Sequence, residues 1–371
     1  MNITLIAGAR PNFMKIAPMI RAIKTAQAEG KDIQYRLVHT GQHYDKKMSG
    51  DFFEQLGIPE PDANLECGGG TQAEQTAAIM VKFEQELMAN RPDLVLVVGD
   101  VTSTMACTIT AKKLCVDVAH VEAGIRSGDM TMPEEINRIV TDSLCDYFFT
   151  TSEHANTQLK KTGVADSRIY FVGNTMIDTL FQNINRLRKP AFWDAHKLQS
   201  GEYFLVTLHR PSNVDDPKKL ASILHSIEEA SMHLPVIFPV HPRTRQIIDK
   251  FNIHDDKMIM IDPQGYLEFI YLVKNAKGII TDSGGITEEA TVLHIPCLTL
   301  RNSTERPETV TIGTNELIGD DICKLKPSIQ KIMEGKWKKG MIPPFWDGKT
   351  SERIMDALSS IYQPNTLVNA S

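Results

Sequence analysis

The sequence predicts an α/β protein with two Rossmann-like, doubly wound parallel-sheet domains. Short runs of β-branched and aliphatic residues alternate with amphipathic helical patterns along almost all of the 371 residues. One run, "LVLVV" at residues 94–98, is apolar throughout, which is typical of a strand buried on both faces of a parallel sheet. The same alternation begins again near residue 203 with "YFLVTLHRP", and a chain of this length accommodates two domains.

In the first half, the strand candidate "NITLIAG" leads into the helical pattern "PNFMKIAPMIRAIKTAQ". Later strand candidates are "YRLVHTG", "DLVLVVGD", "VDVAHVEAG" and "YFFTTS", and the helical patterns between them include "QAEQTAAIMVKFEQELM" and "PEEINRIVTDSLC". The second half repeats this order with the strand candidates "VIFPVH", "MIMIDP", "GIITDSGG" and "PCLTL". Strands that alternate with helices favour parallel sheets.

The pattern changes around residues 170–200, where "YFVGN" leads into a helix and then into a polar connection, "RKPAFWDAHKLQSGE". We therefore predict a first domain over residues 1–172 and a second over residues 173–349. The helical segment within residues 350–371 is expected to rejoin the first domain. Because doubly wound sheets bind ligands beyond the carboxyl ends of their strands, the residues directly after each strand are the candidates for a site.

Composition and charge exclude several classes of function. Lysine and arginine total 40 against 46 acidic residues, a net charge of −6, and no basic run is present that could follow a nucleic-acid backbone. No window of about 18 apolar residues exists and the N-terminus lacks a signal-peptide pattern, so no membrane association is expected. The six cysteines are scattered without a C-x-x-C pair, which favours a reducing cytoplasm and argues against zinc.

The turn after the first strand, "GARPNFMK", is suited to an anion. Arg10 and Lys15 lie at the start of a helix, where cationic side chains and unpaired backbone amides both favour negative charge. Two solvated surface cations would give the same pattern. The turn lacks the G-x-G-x-x-G fingerprint, so no nicotinamide or flavin cofactor is expected.

A second turn of this kind occurs in "TDSGGITEEAT", between a strand and a helical pattern. Gly284 and Gly285, after Ser283, would let a phosphate approach the amides at the helix N-terminus. Glu288 or Glu289, one turn later, could bind ribose hydroxyls. The alternative is a tight turn with capping acids.

Histidines follow strands twice, as His209 and His241, and each has an arginine nearby, Arg210 and Arg243. Two such sets indicate diphosphate binding or acid-base chemistry, whereas a lone histidine would more often be structural. A His-His metal site would need carboxylates at matching spacing, which the sequence does not offer, so no metal is expected. The segment "RNSTERPE" adds two more cations, Arg301 and Arg306.

Carboxylates end two strongly apolar strands. Asp100 follows "LVLVVG" and Glu122 follows "VAHV", and a carboxylate that has lost solvent on one side is suited to proton transfer. Glu134 precedes Arg138 by four residues on a helix, so an i,i+4 ion pair is the alternative to a catalytic role for it. Glu135 is expected to have a structural role of this kind.

Eight segments, in order along nearly the whole chain, resemble the motifs of the non-hydrolysing UDP-N-acetylglucosamine 2-epimerases. They are "GARPNFMKIAP", "TGQHYD", "VVGDVTSTMA", "HVEAGIRSGDMTMPEEINR", "VGNTMIDTL", "IDPQGYLEF", "TDSGGITEEA" and "STERPE". The resemblance implies a glycosyltransferase-B type fold with an interdomain cleft, a homodimer, and conversion of UDP-GlcNAc to UDP-ManNAc without NAD or another cofactor. In that reaction the C1–O bond to UDP breaks, the C2 proton leaves to give 2-acetamidoglucal, and UDP adds back after reprotonation from the other face.

The resemblance also assigns roles to individual residues. The side chains expected at the diphosphate are Arg10, His209 and Arg306, joined by the turn of Ser283, Gly284 and Gly285. Those expected at the nucleoside are Glu289 for the ribose and Phe269 for the uracil. Those expected around the sugar are Lys15, Asp100, Glu122, Glu134 and Arg138. The residues expected to be catalytic are Asp100, Glu122 and Glu134, as acid and base, and His209.

Some bacterial members of that family also have an allosteric UDP-GlcNAc site, and Gln42, His43, Arg210 and His241 match part of it. The chain reads "HRPSN" where the common bacterial pattern is H-R-R-E, so activation by substrate and the exact sugar stay open. A 2-epimerase of a UDP-activated diacetamido uronate or 6-deoxy sugar is the first alternative. A glycosyltransferase of the same architecture and a nucleotide-sugar sensor without turnover are the others.

Overall fold

The structure, a computed structural model, describes residues 1–41, 53–251, 253 and 258–362. The chain divides into two compact units. Met1–Gln182 and the segment from Pro344 onward form the first unit, and Asn183–Pro343 forms the second. Each unit contains one parallel sheet with helices between its successive strands, which confirms the predicted α/β class.

The first unit has a seven-stranded sheet in the order β3-β2-β1-β4-β5-β6-β7. Its strands are β1 Asn2–Ala7, β2 Gln34–His39, β3 Ala63–Asn64, β4 Leu94–Val98, β5 Asp117–Val121, β6 Tyr147–Thr150 and β7 Ile169–Phe171. Ile3 of β1 pairs with Tyr35 of β2 on one side and with Leu94 of β4 on the other. The strand order therefore reverses between β1 and β4, and all five residues of β4 are buried, as its apolar run predicts.

The helices that follow these strands in the described part of the unit include α1 Arg10–Ala28, α2 Gln72–Ala89, α3 Thr102–Lys113, α4 Pro133–Leu144, α5 Glu153–Lys161 and α6 Thr175–Asn183. A 3₁₀ turn covers Asp166–Arg168. Local sequence explains their start points. Thr71 and Glu74 form a capping box at α2, in which the Thr71 side chain accepts a bond from Glu74 N and the Glu74 side chain accepts one from Thr71 N. Helix α4 begins with Pro133, which suits a first helical position.

The second unit has a six-stranded parallel sheet in the order β10-β9-β8-β11-β12-β13. Its strands are β8 Phe204–Thr207, β9 Val236–Pro239, β10 Met258–Ile261, β11 Gly278–Thr281, β12 Cys297–Thr299 and β13 Asn315–Leu317. Its helices are α7 Phe192–Ala195, α8 Pro211–Val214, α9 Pro217–Ser231, α10 Pro242–Lys250, α11 Tyr266–Asn275, α12 Gly284–Val292, α13 Pro307–Thr311 and α14 Leu325–Met333, with 3₁₀ turns at Ile184–Arg186 and Ile322–Lys324. Here the strand order reverses between β8 and β11, which pair directly.

The last helix, α15 Thr350–Ile361, packs on the first unit. The buried carboxylate of Asp178, on α6, accepts bonds from the backbone amides of Thr350 at 3.0 Å and Ser351 at 2.7 Å. These are orphan amides at the start of α15, so Asp178 acts as their cap although it is distant in sequence. Trp346, just before this helix, is 1% exposed and donates its ring N–H to Thr151 O at 3.0 Å.

The division between the units falls after α6, whereas the sequence led us to place it after residue 172. Contacts with α1 explain why α6 belongs to the first unit. The hydroxyl of Thr179 donates to Met14 O at 2.5 Å, and Arg21 Nη1 donates to Gln182 Oε1 at 2.6 Å. Among the described helices, none has the length and apolar character that a membrane span would need.

Candidate active site

Four of the predicted residues lie at the carboxyl ends of β1, β4 and β5 in the first unit. Lys15 is on α1, Asp100 follows β4, Glu122 follows β5, and Arg138 is on α4. The three strands are neighbours in the sheet, and the reversal of strand order falls between β1 and β4. This is the edge at which doubly wound sheets bind ligands.

Glu122 is paired with Lys15 inside this edge. Its Oε2 lies 2.7 Å from Lys15 Nζ, and Glu122 is 3% exposed. The backbone of Glu122 has a φ of 71°, in the left-handed region, which costs a non-glycine residue on the order of 1–3 kcal/mol. A bond from Glu122 N to Phe149 O at 3.0 Å helps to hold this conformation. Strain of this kind persists where the surrounding structure enforces it, and it occurs most often at functional sites.

Gly99 separates β4 from Asp100 and lets Lys15 approach the sheet. Its φ is +67°, a conformation that glycine adopts readily. A Cβ added at Gly99 would lie 2.9 Å from Lys15 Nζ. A side chain here would therefore displace the lysine that pairs with Glu122.

Asp100 has its own cation in Arg138. Nε and Nη2 of Arg138 lie 3.0 and 2.6 Å from Asp100 Oδ2, and the Asp100 side chain is 29% exposed. Asn137 Nδ2 also donates to Asp100 O at 2.8 Å. Helix α4 thus fixes both the backbone and the carboxylate of Asp100.

The side chain on α4 that pairs with Arg138 is Glu135, three residues before it, at 2.8 Å. The expected i,i+4 partner was Glu134, which is half-buried in the first turn of this helix. Burial alone would raise the pKa of Glu135, but bonds from Ser127 N, Arg138 and Gly128 N outweigh it and lower that pKa. Glu135 therefore has a structural role, as expected, and it also orients Arg138.

A buried network that the motifs did not single out lies behind Asp100 and Glu122. Asp142, on α4, accepts bonds from His120 Nδ1 at 2.7 Å, Arg126 Nη1 at 2.6 Å and Gly124 N at 3.0 Å. Burial would raise the pKa of Asp142, but the charges and bonds of His120 and Arg126 hold it below its usual range. A histidine within an apolar strand was the available sequence signal for this network.

In the second unit, Ser283 lies between β11 and α12 as predicted, whereas Gly284 and Gly285 are the first two residues of α12. Ser283 is the N-cap residue of α12, and its side chain makes no cap hydrogen bond within the described part of the chain. Ser283 N donates to Thr281 Oγ1 at 2.9 Å, which shapes the turn. The first amides of a nine-residue helix are therefore left for an anion.

His209 follows β8, next to this turn in the sheet, and its ring is bound to Asp282 at the end of β11. His209 Nδ1 lies 2.8 Å from Asp282 Oδ1. Burial would raise the pKa of Asp282, but the bond and charge of His209 keep it below its ordinary value. Arg210 Nε donates to Asp282 O at 3.0 Å. Asp282 stood in a motif of the sequence without an assigned role, and the structure shows that it orients His209 and Arg210.

Buried carboxylates also hold the cations that follow β12. Arg306 Nε donates to Glu288, and Arg301 makes a two-pronged pair with Glu305 at 2.8 and 2.6 Å. Arg210 Nη2 lies 3.9 Å from Glu305 Oε1. Arginines held in this way keep their orientation, which suits recognition of a phosphate.

Glu289 lies within α12 and is 3% exposed. Burial raises its pKa to about 8, and the charge of neighbouring Glu288 adds to this effect. The hydroxyl of Tyr266 donates to Glu289 Oε1 at 3.3 Å. Phe269, expected at the uracil, lies half-buried on α11 in the same unit.

The second His-Arg set has a different arrangement from the first. His241 is exposed and is the N-cap of α10, where its Nδ1 accepts a bond from Arg243 N at 3.3 Å. Arg243 forms an exposed ion pair with Asp215 at 2.7 Å. The structure thus gives this set a capping role, and an allosteric role for His241 stays a prediction.

Three predicted residues receive no structural account. The side chain of Arg10 and the residues Gln42 and His43 lie outside the described part of the chain. Across residues 1–41, 53–251, 253 and 258–362, no group of three or more His, Cys, Asp or Glu side chains is arranged to hold a metal ion.

Comparison with known proteins connects this geometry to a family. A family model described as UDP-N-acetylglucosamine 2-epimerase matches residues 25–359. The chain belongs to the UDP-N-acetylglucosamine 2-epimerase family. The UDP-N-acetylglucosamine 2-epimerase of Methanocaldococcus jannaschii is 42% identical over 97% of this chain and 99% of the relative. The UDP-2,3-diacetamido-2,3-dideoxy-D-glucuronate 2-epimerase of Pseudomonas aeruginosa is also 42% identical, over 97% of this chain and 100% of the relative.

Solved structures of family members share the fold of this chain. The crystal structure of the Methanocaldococcus jannaschii epimerase in complex with UDP-GlcNAc and UDP has a TM-score of 0.85 and 42% identity, covering 97% of this chain and all of that one. The Neisseria meningitidis epimerase bound to UDP-GlcNAc has a TM-score of 0.86 and 29% identity over 97% of this chain and all of that one. The family therefore combines this fold with epimerisation of UDP-sugars.

Proposed function

We propose that this protein is a non-hydrolysing UDP-N-acetylglucosamine 2-epimerase that interconverts UDP-GlcNAc and UDP-ManNAc. The observation that carries the proposal is a pair of carboxylates, Asp100 and Glu122, that end two neighbouring strands and each bind a separate cation. Epimerisation at C2 needs groups that take and return a carbon-bound proton on two faces of the sugar. Membership of the epimerase family supports this reading.

The reaction would begin with loss of UDP from C1 and of the proton from C2, giving 2-acetamidoglucal. A carboxylate accepts the proton, and a protonated carboxyl returns one to the opposite face before UDP adds back to C1. Asp100, Glu122 and Glu134 are the candidate proton carriers. Lys15 and Arg138 would stabilise the ionised carboxylates.

The second unit would hold the leaving group. The helix N-terminus after Ser283 offers backbone amides, while His209 and Arg306 offer cationic or hydrogen-bonding groups for the diphosphate. Glu289 would accept bonds from the ribose, and Phe269 would pack on the uracil. Because the departing UDP stays bound and returns to C1, the reaction needs no nucleophilic Ser or Cys from the protein and no cofactor.

A related sugar is the second candidate substrate. The Pseudomonas aeruginosa diacetamido-glucuronate epimerase is as similar to this chain as the Methanocaldococcus jannaschii UDP-GlcNAc enzyme, at 42% identity for both. The groups that would hold UDP and move the C2 proton suit either sugar equally. We place UDP-GlcNAc first because a greater number of similar relatives carry that name.

Proton NMR in deuterated water tests the proposal. Incubation with UDP-GlcNAc should give UDP-ManNAc, with deuterium at C2 of both epimers. The same assay with UDP-2,3-diacetamido-2,3-dideoxyglucuronate is the substrate control, and a higher kcat/KM for the uronate would shift the assignment to that sugar.

Other outcomes of this assay would contradict the proposal. Sugar transfer that requires an added acceptor would indicate a glycosyltransferase, and binding without turnover would indicate a sensor. Build-up of free UDP and free ManNAc would indicate a hydrolysing enzyme. We further propose that the enzyme works in the cytoplasm and as a homodimer, for which sedimentation of the full chain is the test.

A further inference from the structure

His120 lies in β5 with both ring nitrogens directed at hydrogen-bond acceptors. Nδ1 lies 2.7 Å from Asp142 Oδ1, and Nε2 lies 2.8 Å from the backbone oxygen of Gly99. The residue has no exposed surface. A carbonyl oxygen can only accept, and the carboxylate of Asp142 already accepts bonds from Arg126 and Gly124 N on its other oxygen. Nε2 of His120 must therefore donate to the Gly99 carbonyl, and Asp142 holds the ring at its other nitrogen.

The peptide at Gly99 is held from two sides by β5. Its carbonyl accepts the bond from His120, and its N–H donates to Val121 O at 3.0 Å. Asp100 is the next residue after Gly99, and Glu122 is the next residue after Val121. We name these two bonds, from His120 Nε2 to Gly99 O and from Gly99 N to Val121 O, the Gly99 clamp. Each proposed proton carrier directly follows a residue of the clamp.

We infer that His120 is a positioning residue whose ring, through the Gly99 clamp, fixes Asp100 relative to Glu122. The inference rests on the proposed catalytic role of these two carboxylates. Asp142 holds the ring at Nδ1, so that Nε2 stays directed at the Gly99 carbonyl.

The bond from His120 to Gly99 can be tested without substrate. Nitrogen-15 NMR of the full chain, with histidine labelled in the ring, should show that Nε2 of His120 carries a proton. Its signals are assigned by their absence in His120→Gln. A signal pattern in which Nε2 of His120 carries no proton would overturn the bond to Gly99, whatever the enzyme does with UDP-sugars.

Kinetics test the positioning role. His120→Phe keeps a planar ring but leaves the Gly99 carbonyl without its donor, and kcat for UDP-GlcNAc should fall about 10- to 10²-fold because small displacements of catalytic groups have large effects. KM should stay within about 3-fold, since most of the expected nucleotide contacts are on the second unit. His120→Gln, whose amide can donate to Gly99 O, should recover part of the lost kcat.

A matched control separates positioning from stability. Leu87→Ala removes a buried core side chain on α2 that is not part of the clamp, and it should lower the thermal unfolding midpoint with kcat nearly unchanged. Equal kcat for His120→Phe and Leu87→Ala at the same folded fraction would overturn the inference. If His120→Phe does not fold, His120→Met takes its place, because its side chain also lacks a donor for Gly99 O, and a kcat equal to that of His120→Gln would contradict the role. A wild-type chain that fails to epimerise any UDP-sugar would count against the proposed function, while the NMR result would still decide whether His120 bonds to Gly99.

Discussion

Asp282 accepts hydrogen bonds from both the backbone amide and the ring of His209. The amide nitrogen lies 3.1 Å from Asp282 Oδ2, and Nδ1 of the ring lies 2.8 Å from Oδ1. Asp282 is fully buried, whereas the His209 side chain is 51% exposed. The carboxylate thus occupies Nδ1 and leaves Nε2 as the ring nitrogen that can meet a ligand.

Asp282→Asn should lower kcat about 10-fold or more. The carboxylate accepts bonds from four donors, the amide and ring of His209, the amide of Arg210 and the side chain of Asn213, and a side-chain amide cannot accept all four. Steady-state kinetics with UDP-GlcNAc measure this loss. The effect should nearly vanish in a His209→Gln background if Asp282 acts through His209. Additive losses in that double mutant would contradict the relationship. Asp215→Asn, which changes an exposed carboxylate of the same unit, is the control and should stay within about 2-fold of the wild type.

Glu122→Gln should cut turnover about 10²-fold or more if Glu122 carries a proton, with UDP binding little changed. Exchange of the C2 proton with deuterated water measures the chemical step directly. Asp129→Asn, on the exposed loop before α4, is the matched carboxylate control. Near-normal exchange in Glu122→Gln would remove this residue from the catalytic set.

Glu289 should make the stability of the protein depend on pH between about 4.5, the ordinary pKa of a glutamate, and about 8. Its pKa is raised in the folded state, so the folded protein binds this proton more tightly than the unfolded chain. The resulting stabilisation is complete below about pH 4.5 and is lost as pH rises to about 8, with a slope of at most about 1.4 kcal/mol per pH unit. Glu289→Gln should flatten the decline of the thermal unfolding midpoint over this window. An identical decline in both proteins would contradict the raised pKa.

Nucleotide binding should release a proton from Glu289 near neutral pH. Hydroxyl donors from a ribose favour the ionised carboxylate, so UDP would lower a pKa that is about 8 in the free protein. Calorimetric titration with UDP in two buffers of different ionisation enthalpy measures the release. Glu289→Gln should lose the buffer dependence, and a wild type without it would count against contact between Glu289 and the ribose.

Glu135→Gln should destabilise the first unit by about 2–4 kcal/mol, because it removes one partner of a buried pair and weakens two bonds to backbone amides. The lowered pKa of Glu135 sets the pH dependence: its stabilisation is present above about pH 4.5 and is lost as pH falls below that value. Calorimetric unfolding between pH 3 and 7 should show the two proteins converging in acid. Asp166→Asn, at an exposed ion pair of the same unit, should change stability by less than about 0.5 kcal/mol.

The sequence predicted the central strands because a strand that is buried on both faces is a continuous apolar run. Two edge strands, β3 and β13, escaped prediction, because they have two and three residues, which is too few for any periodicity to appear. The contacts that place α6 with the first unit were not visible in the sequence for a related reason. The contacts that hold α6 on the first unit, such as Thr179 with Met14, join residues that no local pattern connects.

Within the candidate site, the sequence pointed to the carboxylates but to few of their hydrogen-bond partners. Asp100 and Glu122 were recognisable because a carboxylate after an apolar strand stands out. The pairing of Arg138 with Glu135 was not, because residues three and four positions earlier share one helix face. His120 and Asp142 are 22 positions apart and meet through the packing of α4 on the sheet, which sequence alone does not specify.

Because α15 packs on the first unit, the order in which the two units are synthesised differs from the order in which they can complete their folds. The second unit is one continuous stretch, so all of its residues are synthesised before the last helix of the first unit. Until then Asp178 lacks the amides of Thr350 and Ser351, and the nascent first unit keeps a carboxylate that folding would bury without partners. The first unit is therefore the first to begin synthesis and the last to complete its fold.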